Sequence, residues 1–252
     1  MALRLLVTRP WPQADAWVED LRAAGFDAVA LPLLDIAGPA DAPAVRDAAA
    51  RLGTFAAVVF VSPNAAQRFW ETAGLAQWPA QVLAAGPGPG TAAALRALGV
   101  PAACVVEPAA GSAQFDSEAL WSALQPLRDW TGAPVLIVRG DGGREFLAQA
   151  FGAHGARVET LQAYRRQPPA WGPVERALLG AALAAPAAHL WLLSSSEAIE
   201  HLPGLAPGVS WAASRAVCTH ARIAARARAL GFGQVDSIAP GLGPLLRHLR
   251  PG

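Results

Sequence analysis

Residues 84–99, AAGPGPGTAAALRALG, set three alternating glycines (Gly86, Gly88, Gly90) and Thr91 in front of an alanine-rich helical stretch. Free N–H groups at a helix start, helped by the helix dipole, favour an anion there. The chemistry on offer is the binding of phosphate or carboxylate. All twenty basic residues are arginine. That removes the P-loop, whose lysine reaches the β- and γ-phosphates, and it removes any Schiff-base mechanism. The run Gly86-Pro87-Gly88-Pro89-Gly90-Thr91 also misses G-x-G-x-x-G, because Thr91 stands where the last glycine belongs. Two prolines further stiffen a loop that would have to wrap a pyrophosphate. A nucleotide is therefore the poorer fit, and some other anion the better one.

Other chemistries are excluded by spacing. The five histidines (His154, His189, His201, His220, His248) show neither H-x-x-x-H nor H-E-x-x-H, so no metal site is expected. Ser194-Ser195-Ser196 lacks the G-x-S-x-G elbow of a nucleophilic hydrolase. Cys104 and Cys218 stand far apart and read as free thiols in a reducing compartment. A net charge of +1 gives no field for nucleic acid. The opening MALRLLVTRP is a strand-length apolar run without a signal-peptide pattern. The longest apolar tract, AALAAPAAHLWLL, is broken by Pro186 and His189 and is too short to span a bilayer. The expectation is a soluble cytoplasmic protein with neither nucleic-acid nor membrane partners. Its nine tryptophans, Trp11, Trp70 and Trp171 among them, are expected at core edges or on the flanks of a cleft.

The elements that must position such a site alternate. LRLLVTR (3–9), FDAVALPLL (26–34), FAAVVFVS (55–62), QVLAAG (81–86), APVLIVRG (133–140), AHLWLLS (188–194) and SRAVCT (214–219) read as strands separated by helices, the first of them PQADAWVEDLRAAG (12–25). That alternation predicts α/β architecture with mostly parallel sheets flanked by helices. The chain also repeats itself. Residues 5–34 resemble 136–164, and residues 58–99 resemble 190–231, in the order A, B, A′, B′. Each unit is too small to bury its own sheet, so units pair into two similar lobes. Periodicity allows A with B and A′ with B′, or a nested B with A′ closed by A and B′.

The stretches LLVTRPWPQADAWVEDLRAAGFDAVALPLL, FVSPNAA, GPGTAAALRALG, SEAL, VLIVRGDGGREFLAQAFGAHGARVETLQAYRR and LLSSSEAIEHL together resemble the uroporphyrinogen-III synthase family over nearly the whole chain. The resemblance implies the nested pairing. One lobe holds residues 1–36 and 173–252, the other 40–165, with connectors at 37–39 and 166–172 and an active-site cleft between the lobes. It also implies a cofactor-free, monomeric lyase. Its substrate is hydroxymethylbilane, closed with inversion of ring D to uroporphyrinogen III, and transient contact with the preceding pathway enzyme is possible. The architecture alone also permits a non-catalytic two-lobed binder of a small polycarboxylate.

A substrate with eight carboxylates suits helix starts as well as phosphate does. Ser62, Gly90 with Thr91, the turn after Gly140, and Ser195 are the expected sites; plain N-capping accounts equally for Ser62, Thr91 and Ser195. The last unit departs from pattern, with His220 at the glycine position and Ile223 at the threonine. Arg9, Arg139 and Arg144 are expected to hold carboxylates, since the guanidinium fork matches them. Arg144 reads as opening the helix after Gly140, and a local pair with Asp141 or Glu145 is the competing role for these arginines. Tyr164, the only tyrosine, ends the strand VETLQAY. The resemblance places the family's cleft tyrosine there, where its phenol would help the hydroxyl leave as water.

Overall fold

The computed structural model describes residues 3–109, 115–142 and 144–250. The chain divides into two compact units: residues up to Ile36 together with those from Gln167 onward, and the contiguous Ala37–Arg166.

The first unit opens with β1 (Arg4–Val7), α1 (Gln13–Ala23) and β2 (Asp27–Ala30), and reaches β3 (Asp35–Ala37) at the crossing to the second unit. The second unit runs through α2 (Ala42–Ala50), β4 (Ala57–Phe60), α3 (Pro63–Ala73), β5 (Leu83–Ala85), α4 (Pro89–Ala97), β6 (Val105–Val106), α5 (Ser117–Leu124), β7 (Pro134–Arg139), α6 (Phe146–Ala153) and β8 (Arg157–Gln162). After β9 (Arg165–Gln167) the chain returns to the first unit. There it forms α7 (Pro173–Ala184), β10 (His189–Leu193), α8 (Ser196–Glu200), α9 (Leu202–Leu205), β11 (Arg215–Cys218), α10 (Ala221–Leu230), β12 (Gln234–Ser237) and α11 (Leu242–Leu249).

Both five-stranded sheets are parallel, as the strand–helix alternation predicts. In the second unit the order is β6-β5-β4-β7-β8, with Val58 level with Leu136. Strands buried on both faces need apolar residues throughout, and Ala57–Phe60 is buried at every position. Ala57, Val59, Val135 and Ile137 pack against Leu120, Trp121, Leu147 and Phe151 from α5 and α6. The alternate residue Phe60 instead meets Phe69, Trp70 and Trp78, with Trp70 and Trp78 stacked at 5.3 Å.

In the first unit the order is β12-β11-β10-β1-β2, with Leu5 level with Leu190. Leu5, Val7, Leu190, Leu192 and Val217 cover one face with Ala14, Val18 and Leu21 of α1 and Leu245 of α11. Read from β10, this order matches that of the other sheet strand for strand. β10, β11 and β12 correspond to β4, β5 and β6, while β1 and β2 correspond to β7 and β8. Thus β1 pairs with β10 and β4 with β7, which is the nested one of the two pairings the repeat allows.

Several elements are shorter than the apolar runs suggest. FDAVALPLL is regular strand only over Asp27–Ala30, although Leu31 and Leu33 still donate to Val7 (2.9 Å) and Thr8 (3.2 Å). Its remainder turns inward, where the Pro32 carbonyl accepts from the Trp171 indole (2.9 Å) and the Leu33 carbonyl meets the His201 ring (2.7 Å). β3 and β9, both unread in the sequence, form a two-stranded sheet where the chain crosses between units. The Gln167 amide donates to Asp35 across it at 3.1 Å. Among the described residues no helix is long and apolar enough to cross a membrane.

Candidate functional site

Ligands in open parallel sheets bind beyond the carboxyl ends of the strands, where strand order reverses. The reversal lies between β4 and β7 in the second unit and between β10 and β1 in the first. The expected site residues sort onto these two places. Ser62, Arg139, Arg144 and Tyr164 follow β4, β7 and β8, with Gly90 and Thr91 beside them on α4; Ser195 and Arg9 follow β10 and β1.

In the second unit Ser62 caps α3. Its backbone is extended and its hydroxyl accepts from the Ala65 N–H at 3.2 Å, with Pro63 opening the helix. The same hydroxyl lies 3.3 Å from the Tyr164 phenol oxygen, and the Arg166 guanidinium donates to that phenol at 3.2 Å. Tyr164 follows β8 rather than ending it and is only 1% exposed. Its ring lies directly on Gly140, where a Cβ would come within 2.6 Å of the ring carbon Cζ. The Arg166 N–H is held by Asp141 (3.1 Å), which fixes the strand that carries the guanidinium.

The start of α4 lies beside that of α3, with a Cβ built on Gly90 falling 3.9 Å from Pro63. The capping expectation for Thr91 is corrected here. Gly88 is the N-cap, and Thr91 stands in the third helical position, 4% exposed, its N–H already donated to the Gly88 carbonyl at 3.0 Å. Its side chain fills the space left by Gly86, where a Cβ would meet the threonine methyl at 2.6 Å. Ile223 occupies the matching position of α10 and is also buried, so this position packs inward in both units.

A cavity of about 190 Å³ lies among Val61, Arg139, Arg144, Glu145, Leu147 and Thr160. Its two arginines already hold carboxylates. Arg139 bonds Glu145 at 2.6 Å and Arg144 bonds Glu118, whose second carboxylate oxygen is buried and has no partner among the described residues. The first pair is the local one the sequence allowed; the second reaches back to α5. Arg144 does not open the helix, which begins only at Phe146. Glycines at 140 and 142 favour turn over helix, and Gly142 takes φ +70°.

In the first unit Ser195 caps the short α8, accepting from the Ala198 N–H at 3.2 Å. Thr8 donates to the Leu192 carbonyl at 2.6 Å and ties β1 to β10 at the reversal. Arg9 lies over the Trp17 ring, 4.3 Å from its centroid, and gives one bond to Gln13 at 3.2 Å. Among the described residues its buried Nε has no partner, and burial draws the guanidinium below the usual arginine pKa. A desolvated, under-bonded cation gains most from an arriving carboxylate. Sequence reasoning left His220 without a role: it is the N-cap of α10, its ring accepting from the Arg222 N–H at 3.1 Å. Arg222, Arg226 and Arg228 are exposed along that helix. Among the described residues no three His, Cys, Asp or Glu gather as a metal site needs.

The family model described as Uroporphyrinogen-III synthase HemD matches residues 15–243. The chain belongs to the uroporphyrinogen-III synthase family. Membership makes it a lyase of tetrapyrrole biosynthesis. Uroporphyrinogen-III synthase from Proteus mirabilis is 31% identical over 166 residues, 65% of this chain and 80% of that one. The Salmonella typhimurium enzyme of the same name is 31% identical over 173 residues, 65% of each chain. Two solved members of the family share the fold. Helicobacter pylori uroporphyrinogen-III synthetase (15% identity, TM-score 0.58) covers 99% of this chain and 100% of its own. A mutant synthase from Thermus thermophilus (18%, 0.52) covers 98% and 96%.

Proposed function

We propose that this family member acts on hydroxymethylbilane, closing the ring with inversion of ring D to uroporphyrinogen III and releasing water. The observation that supports this reading is the gathering of arginines and capped helix starts at both strand-order reversals, suited to a substrate that carries eight carboxylates. The residues proposed to bind carboxylates are Arg9 and Ser195 in the first unit, and Ser62, Gly90, Thr91, Arg139 and Arg144 in the second. At Thr91 the contribution is the helix start, since the side chain packs inward.

The chemistry follows from the substrate. Protonation lets the terminal hydroxyl leave as water, and the lone pair of the pyrrole nitrogen stabilises the azafulvene cation left behind. The ring D carbon that bears the methylene bridge attacks this cation and gives a spiro intermediate. That older bridge bond then breaks, which regenerates an azafulvene cation on ring C. The free α-carbon of ring D captures the cation and loses its proton, and the net change is loss of one water. The hydrogen-bonded hydroxyl pair of Ser62 and Tyr164 assists the departing oxygen as an acid, an assistance worth roughly 10²–10⁴-fold at most. The larger task is holding the chain folded so that the spiro path wins over direct closure. No cofactor enters, because the pyrrole itself provides the electron pair. The protein works as a cytoplasmic monomer, with transient contact to the enzyme that makes its unstable substrate.

Freshly prepared hydroxymethylbilane given to the purified protein should yield type III uroporphyrinogen, resolved from type I after oxidation. Type I product alone would overturn the reading.

A further inference from the structure

The Ser62, Tyr164 and Arg166 side chains form a chain with a direction. A guanidinium only donates, so the Arg166 contact of 3.2 Å uses a lone pair of the phenol oxygen. The phenol proton needs an acceptor, because Tyr164 is 1% exposed. Among the described residues its one acceptor is the Ser62 hydroxyl at 3.3 Å. Ser62 therefore accepts from the phenol and from the Ala65 N–H. Both inward acceptor positions of its oxygen are then filled, and its own proton points away from them. Ser62 is half-buried, at the mouth of the β4–β7 reversal, and of the two hydroxyls it is the one with a way out. Gly140 keeps the ring in place, since any Cβ there would strike it.

We infer that Ser62, and not Tyr164, presents the proton to the departing hydroxyl, with Tyr164 as a relay and Arg166 as the positioning residue that fixes its direction. The guanidinium charge polarises the phenol O–H toward Ser62, and the phenol in turn polarises the serine O–H outward. The serine O–H bond breaks as its proton passes to the leaving oxygen, the phenol proton follows to the Ser62 oxygen, and the phenolate left behind regains a proton from solvent through Ser62 after turnover. This inference rests on the proposed reaction.

Because Tyr164 is the only tyrosine, its Cζ carbon gives a single resonance in protein grown on ring-labelled tyrosine. The resonance should shift in both Arg166→Gln and Ser62→Ala, and return toward wild type in Arg166→Lys, which still donates. For type III formation, Ser62→Ala should lower kcat at least tenfold and Ser62→Thr should retain it. Tyr164→Phe and Arg166→Gln should each lower kcat alone, yet add nothing to Ser62→Ala. A further fall when Tyr164→Phe is added to Ser62→Ala would put the phenol itself on the substrate and overturn the relay. An unmoved resonance in Arg166→Gln would overturn the role of the arginine. A wild type that makes only type I product instead defeats the reaction on which the relay rests, and the resonance still reports the hydrogen-bonded chain by itself.

Discussion

An arginine that is to hold a substrate carboxylate must first release the one it holds. Arg139 and Arg144 are paired with Glu145 and Glu118, and exposed pairs of this kind are worth about 0.2–1 kcal/mol. Glu145→Gln should therefore lower KM by up to about fivefold with kcat nearly unchanged; steady-state kinetics showing a raised KM would make the glutamate a support instead. Among the described residues Arg9 has no acidic competitor in contact, only Gln13 and the Trp17 ring. Arg9→Gln should cost about 1.5–3 kcal/mol, seen mainly as a higher KM. Gly140→Ala forces the Tyr164 ring out of its seat and should destabilise by about 1–3 kcal/mol in urea titrations, with loss of turnover. These residues differ in how visible they were beforehand. An arginine at a strand end can be read from spacing alone. Its partner cannot when the partner is Glu118 on a different helix, and the depth at which Tyr164 is buried depends on Gly140, just beyond the end of β7.

At the scale of elements, apolar runs located seven of the strands because strands covered on both faces must be apolar throughout. β6, with two residues, and β12, Gln234–Ser237, are edge strands that need no such run and gave no signal. Helix starts were misplaced where the local chemistry differed from the pattern. Gly88 caps α4 with backbone alone while the matching His220 caps α10 with its ring, so one structural position is filled by two unlike residues. The join between the early and late halves of the first sheet is reinforced by one hydroxyl, Thr8 to the Leu192 carbonyl. Thr8→Val keeps the shape and removes the donor. It should cost about 1 kcal/mol, read as a shift in the urea midpoint at constant slope.

At the scale of the whole molecule, the absence of lysine clears the alkaline range. Between pH 9 and 11 no lysine ammonium titrates to mask the thiol of Cys218. Burial raises the Cys218 thiol from 9.0 to about 11. The folded state thus holds this proton more tightly than the unfolded chain does. The associated stability is full below pH 9 and is lost as pH rises through about 11, by at most about 2–3 kcal/mol. Denaturant titrations of wild type and Cys218→Ala at pH 8 and pH 10.5 should show the smaller decline in the variant.

The nested pairing of the sheets sets a timetable for synthesis. β4 through β8 leave the ribosome in one continuous run, so the second unit can close as soon as it is made. β1 is produced before any of them, yet one of its edges belongs to β10. At ordinary elongation rates of about 5–20 residues per second, that edge stays bare for roughly ten seconds or more while an entire unit is built. Leu5, Leu6 and Val7, fully buried once folded, spend the interval with half of their sheet still unmade. The nascent chain thus carries a finished globule behind an early strand pair, and a chaperone that holds unfolded segments would find its work on residues 5–34 rather than on the longer stretch that follows.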